Sequence, residues 1–324
     1  MHRHFRPAAA LAGALAAVLL APPVRAQEGA GSTGATVLQL TPGARAAALS
    51  GAYTSATGDA DVVFYNPAGL ASLRTGASFS YERFVEDISL GSLAGAFRVG
   101  SLSIGAGLAY LNGGSVREVV ADPIFGGQRG TETGSTVSES EAAGRLSASL
   151  PLRDGRLRLG AGAGFVSSSI AGETSSAPIF DLGAQASVSS ALTVGAALRN
   201  LGGSLSGDAG RLPTEARVGA TFQAGGQRGL GLLVAADYVQ RLKEKTGGLA
   251  AGVEAGLLPG GASRFGAVGR VGYSTDQSDG GLGPLEIGGG ISLGALALDY
   301  TYRNLDFFGA VHRFGVRWSR PLVP

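Results

Sequence analysis

The chain has 324 residues, 26 of them Lys or Arg and 24 Asp or Glu, giving a formal charge of +2; only 15% are charged and the mean hydropathy is +0.21. It has no cysteine, and His312 is its only histidine beyond the first four residues, which excludes disulfides, thiolate metal sites and His-based metal clusters. The near-neutral charge argues against a nucleic-acid partner, and no motif calls for a cofactor.

Residues 1–26 carry His2, Arg3, His4 and Arg6, an apolar stretch from Ala8 to Ala21, and the small residue Ala26 before Gln27. This is the pattern of a secretory signal peptide cleaved near Ala26; its apolar core is too short to span a bilayer as a helix. Residues 27–75 form a distinct segment. Thr41-Pro42 reads as an N-cap followed by a first-turn proline, with a helix continuing through Ala44 to Leu49 and ending at Gly51. Asn66-Pro67 repeats the device ahead of Ala68 to Leu73, and the acidic turn Gly58 to Asp61 links the two. Neither helix is long enough to stand alone.

From Gly76 the pattern changes to period two. The stretch Leu296 to Arg303 sets Leu296, Leu298, Tyr300 and Tyr302 on one side and Ala297, Asp299, Thr301 and Arg303 on the other. Fourteen such segments follow one another, at 76–84, 88–98, 101–111, 138–150, 156–168, 178–188, 191–200, 213–224, 229–240, 247–257, 264–274, 284–293, 295–303 and 309–319. Spans of about 9–11 residues with one apolar face suit a tilted transmembrane strand, and an even count suits a single-chain bacterial barrel. The expected fold is all-β: an antiparallel transmembrane β-barrel of about 14 strands over 76–320, a small helical plug over 27–75 and a tail at 321–324. A soluble β-sandwich is the alternative, disfavoured because its solvent faces prefer charge to the Tyr, Leu and Phe found here.

Short turns at Arg153-Asp154-Gly155, Ser189-Ser190 and Leu293-Gly294 alternate with long connections at 112–137, 201–212 and 275–283. The long ones belong outside the cell, and Asn112 to Val137 is expected to be the longest loop. The alternation points Glu215, Arg217, Asp237, Glu254, Arg270, Asp299, Arg303, Arg313 and Arg317 into the lumen, where they either line a selective pore or form a salt-bridge lattice supporting wall and plug; the lattice is favoured, with Arg45, Asp59 and Asp61 of the plug as partners. Tyr300, Tyr302 and Trp318 suit an aromatic girdle at the membrane interface. His312 alternates with Phe314 toward the bilayer side, and no carboxylate at clear spacing orients it as a catalytic base, so no catalytic residue is assigned and the protein reads as a non-enzyme. The glycines Gly160, Gly162 and Gly164 fall on one strand face without the helix or Lys-Ser/Thr of a phosphate loop, and read as clearance for the plug or for bending.

Gly43-Ala44-Arg45-Ala46-Ala47, Gly51-Ala52-Tyr53, Asp59 and Phe64-Tyr65-Asn66-Pro67-Ala68-Gly69-Leu70 together resemble the N-terminal signature of the PorV/PorQ family, within the FadL-like group of outer-membrane barrels. Val194 to Gly202 with Leu212-Pro213 resembles that family's mid-barrel motif, and Asp299-Tyr300 and His312-Arg313 its last strands. The resemblance implies an outer-membrane location in contact with lipid, a fourteen-stranded barrel, and Asn66, Pro67, Ala68 and Gly69 as the plug or gate element. It further implies a role in type IX secretion, with translocon components and cargo sorting domains as partners. The alternative it carries is FadL-like uptake of hydrophobic small molecules such as long-chain fatty acids. One departure is that Trp318 is followed by Ser319 to Pro324, whereas many outer-membrane proteins end on an aromatic residue.

Overall fold

A computed structural model describes residues 33–84, 87–121, 130–205, 210–225, 229–258, 264–275, 285–305 and 309–322. The signal peptide, residues 27–32 and the last two residues of the tail lie outside the described residues. Fourteen strands close into one antiparallel barrel in which each strand pairs with its sequence neighbours and the last pairs with the first. They are β1 (Leu73–Arg83), β2 (Ser89–Val99), β3 (Leu102–Ala121), β4 (Gly130–Leu152), β5 (Leu157–Ile170), β6 (Glu173–Ser187), β7 (Leu192–Leu201), β8 (Glu215–Gly225), β9 (Leu230–Arg241), β10 (Thr246–Leu257), β11 (Phe265–Ser274), β12 (Leu285–Leu293), β13 (Leu296–Asn304) and β14 (Ala310–Pro321). Closure leaves no open sheet edge around the wall, the condition for a sheet to sit in hydrocarbon.

The alternation sorts the side chains as a lipid-facing wall requires. Leu146 and Phe165 point outward and are each 67% exposed, whereas Ser78, Ser80, Arg145, Asp237 and Asp299 point inward and are buried. The largest fully buried side chains include Tyr53, Tyr65, Phe64, Leu49 and Leu70, all from the segment ahead of β1. The apolar core of the molecule is therefore the contact between that segment and the inside of the wall, not a layer between two sheets. Some outward aromatics lie near the two rims, whereas Phe79, Phe165, Phe180 and Tyr300 sit in the middle of their strands. Tyr81, Tyr110, Tyr273 and Tyr302 lie toward the rim with the longer connections, and Phe97, Phe265 and Trp318 toward the other. Trp318 thus lies at the opposite interface from Tyr302, pairing with Ala77 of β1 and Leu296 of β13 at the start of each strand.

Two expectations need correction. Residues 112–121 and 130–137 belong to strands rather than to a loop: β3 runs on to Ala121 and β4 begins at Gly130, and beyond Asn112 the two form a ribbon with Val116 opposite Val137 and Val120 opposite Thr131; the rest of the expected loop lies outside the described residues. The β-branched residues Val116, Val119, Val120, Thr131 and Thr136 favour extended backbone, and this outweighs the glycines, which are absorbed as a bulge between Asn112 and Ser115. Thr41-Pro42 does not start the first helix. That helix, α1 (Ala44–Ala47), is capped by Gly43 at φ 87°, a left-handed conformation that favours glycine. The carbonyls of Thr41 and Gly43 accept from Arg313 and that of Pro42 from the Tyr65 hydroxyl (2.7 Å), which turns this stretch toward the wall.

Candidate functional site

Residues 33–72 thread the lumen from the rim with longer connections to the rim with short turns. Thr33 bridges Arg211 near the first rim, and Ser72 leads into β1 at the second. Along this path run α1 and 3-10 turns at Thr36–Leu38, Ala60–Phe64 and Pro67–Ser72. Asp59 caps the turn that follows it by accepting from the Asp61 amide (3.0 Å), so the acidic stretch starts a helical turn as well as linking two others.

Asn66, fully buried, caps Pro67–Ser72 by accepting from the Ala68 amide (3.1 Å), with Pro67 in the first turn. Its amide nitrogen also lies 2.8 Å from the Thr54 carbonyl and 3.1 and 3.2 Å from those of Ala184 in β6 and Ala196 in β7. One side chain thus starts the turn and ties it to two wall strands. Ala68 and Gly69 continue the turn at contact distance: a Cβ at Gly69 would lie 3.0 Å from the Ala56 carbonyl oxygen.

Inward glycines form the cradle. A Cβ at Gly107 (β3) would lie 2.7 Å from the Phe64 ring, one at Gly160 (β5) 2.5 Å from the Ala68 amide, one at Gly252 (β10) 2.7 Å from Leu49, and one at Gly315 (β14) 2.8 Å from Ala44. Each contact is closer than any side chain permits, so glycine here sets how near the plug approaches the wall. Gly162 and Gly164 act differently: a Cβ there would strike β4, at the Ser147 side chain and the Gly144 carbonyl oxygen.

The charged residues form a buried lattice with a closed ring at its centre. Arg45 of the plug holds Glu254 of β10 through two hydrogen bonds (2.9 and 3.0 Å); Glu254 accepts from Arg270 of β11 (2.6 Å); Arg270 reaches Asp299 of β13 (2.7 Å); Asp299 accepts from Arg317 of β14 (2.5 Å). Arg317 then returns to Asp59 of the plug (3.0 Å), which lies 3.8 Å from Arg45 and accepts from the Tyr53 hydroxyl (2.7 Å). Signs alternate all the way round, so every charge has an opposite on both sides, the arrangement that makes buried charge tolerable.

Arg303 and Arg313 meet Glu82 beside the ring, and Arg303 also meets Glu286 (3.2 Å). Glu215 is shared by Arg199 (3.1 Å) and Arg217 (3.6 Å), and Asp237 accepts from the Tyr53 amide, the Thr54 amide and the Thr54 hydroxyl (3.0, 2.9 and 2.6 Å). Asp61 lies apart from the ring and accepts from Ser78 of β1.

Sequence reasoning left out Glu82, Arg145, Asp181, Arg199 and Glu286, although each sits at an inward position of a strand with clear alternation. Arg145 pairs with Asp181 at 3.2 Å and lies over the Phe64 ring. The same period that found Arg217 would have found them. His312 faces outward, with Nδ1 2.8 Å from the Tyr300 hydroxyl.

What this arrangement does chemically is pin the plug segment to the inner wall through paired charges and close apolar contacts. Among the described residues, one cavity between plug and wall beside Tyr65, Arg199 and Arg217 measures about 40 Å³ and another beside Ala52 and Leu233 about 10 Å³, each with room for no more than a few waters.

No protein-family model matches the chain. No curated protein matches it in sequence. Solved structures do match it in fold. The toluene transporter TbuX of Ralstonia pickettii superposes with a TM-score of 0.58 at 13% identity, covering 86% of this chain and 98% of that one. The toluene transporter TodX of P. putida gives 0.56 at 11%, covering 87% and 99%. A TodX deltaS2S3 mutant, described as a monoaromatic hydrocarbon channel, gives 0.58 at 10%, covering 86% and 99%. The likeness is one of fold: these proteins share the β-barrel architecture of this chain.

Proposed function

We propose that the protein is an outer-membrane channel for hydrophobic small molecules, closed in the present state by its own N-terminal segment. The observation that carries this is the plug, which fills the lumen with buried apolar and paired charged groups where a general porin keeps an aqueous bore. A wall this closely packed on its contents passes solutes only after the plug moves. The fold likeness to barrels described as toluene transporters and a monoaromatic hydrocarbon channel supports the same substrate class.

The rival reading, delivery of secreted proteins in the manner of PorV-like barrels with type IX components as partners, rests on sequence motifs alone. Those motifs have structural uses here. Asn200, at φ 53°, donates from its backbone amide to Asp181 (2.8 Å) and from its side chain to the Pro213 carbonyl (3.1 Å), and Arg313 holds Glu82 and plug carbonyls.

The test is uptake of labelled toluene and of a long-chain fatty acid by cells with and without the gene, and with Asn66→Ala plus Pro67→Ala. Uptake falls in both strains while secreted proteins reach the surface normally. Normal uptake together with cargo held in the periplasm would reverse the order of the two readings.

A further inference from the structure

The outer wall carries a two-part feature that the plugged lumen does not use. Across β1 to β6 the outward positions Ala77, Gly95, Ala106 and Ala163 are small and lie side by side, Ala77 opposite Gly95, Gly95 opposite Ala106, and Leu146 between Ala106 and Ala163. With Leu146 and Phe165 as ridges they form an open apolar groove of about 1030 Å³ on the outer wall.

On the short-turn rim beneath this sector the exposed charges are Arg74 (β1), Arg153 and Arg156 (the β4–β5 turn) and Arg320 (β14). Among the described residues the one exposed carboxylate on that rim is Asp154. Arg320 lies over the outward Trp318 ring, 5.4 Å from its centroid, holding a cation at the level of that ring. From Arg74 the groove floor begins three residues on at Ala77, on the order of 10 Å along the strand.

We propose that this groove and the arginines below it form a binding site for an anionic phospholipid of the leaflet at the short-turn rim. The bilayer fills any apolar groove in the wall with acyl chain; the basic arc sets which headgroup goes with it. Short turns mark the periplasmic side of such barrels, where the leaflet supplies phosphate headgroups to side chains that extend from the wall to the interface. The site is independent of what the lumen transports.

The test uses the purified full-length barrel reconstituted in nanodiscs of equal phosphatidylglycerol and phosphatidylcholine, with retained lipid counted by native mass spectrometry. Wild type keeps phosphatidylglycerol in roughly tenfold preference, as a basic arc at headgroup level worth about 1 kcal/mol per arginine implies. Arg74→Gln, Arg153→Gln, Arg156→Gln and Arg320→Gln combined bring the ratio to parity, and Ala106→Leu with Ala163→Leu, which fills the groove, lowers retention of both lipids. These positions lie outside the plug contacts, and heat-modifiable migration reports whether each variant barrel has closed. Parity in wild type, a ratio unmoved by the four-fold variant, or retention of lipopolysaccharide in place of phospholipid would each overturn the proposal; the wild-type ratio stands as a test even if a variant fails to fold.

Discussion

Glu254→Gln tests whether the charge ring latches the plug. The carboxylate is buried and shared, accepting two hydrogen bonds from Arg45 of the plug and one from Arg270 of the wall. An amide keeps the shape but removes the charge and leaves two guanidiniums facing one fewer anion. Breaking one partner of a buried pair costs about 3–5 kcal/mol; because Arg270 keeps Asp299 at 2.7 Å and Arg45 keeps Asp59 at 3.8 Å, the lower end applies, about 3 kcal/mol. At 1.4 kcal/mol per decade that raises the undocked fraction of the plug roughly 150-fold. The chain has no cysteine, so a single Ala56→Cys, buried against the wall when the plug is docked, gives a clean probe. Its labelling rate by a water-soluble maleimide follows the undocked fraction, and bilayer conductance reports the opening. As a control, Glu132→Gln breaks the exposed Arg117 pair on the β3–β4 ribbon and should change neither, since exposed pairs contribute about 0–1 kcal/mol. If Glu254→Gln labels no faster than the control, the ring does not hold the plug.

Val218, outward in β8 and 54% exposed, should tolerate arginine poorly, with about 2–4 kcal/mol lost in chemical unfolding from lipid vesicles. Thr221→Arg, inward in the same strand, should be at least as damaging, because Thr221 hydrogen-bonds Ser55 of the plug (2.7 Å) and the cavity it lines, about 10 Å³, is far too small for an arginine; a mild effect would mean an open lumen. Asp59→Asn removes an anion from the ring and should speed labelling of the same probe, whereas Asp61→Asn keeps an acceptor for Ser78 and breaks none of the ring's ion pairs, and should speed it much less. Gly107→Leu drives a side chain into Phe64 and should cost about 1–3 kcal/mol, read as a lower unfolding midpoint. Deleting residues 33–72 should leave a closed, heat-modifiable barrel with a large ohmic conductance, because the wall's hydrogen bonding is complete without the plug; failure to insert would show that the plug is needed for assembly.

The period-two sorting of Leu296 to Arg303 and its counterparts determined the fold from the sequence alone. Side-chain direction in a strand is fixed by position, and a barrel demands one apolar face, so strand number and inward residues such as Arg217, Arg270 and Asp299 were legible one strand at a time. The Asn66-Pro67 cap was legible for the same local reason. The tertiary structure decided everything that depends on pairs far apart in the chain. Asn66 is a cap in sequence, but its hold on Ala184 and Ala196 exists only once β6 and β7 stand beside the plug. Gly107 and Gly252 look like ordinary strand glycines until Phe64 and Leu49 arrive against them. The six charges of the ring span residues 45 to 317, and no local rule tells Arg45 that its partners are Glu254 and Asp59; closure of fourteen strands around a threaded segment brings them within hydrogen-bond reach, because in a buried lumen each charge must find an opposite.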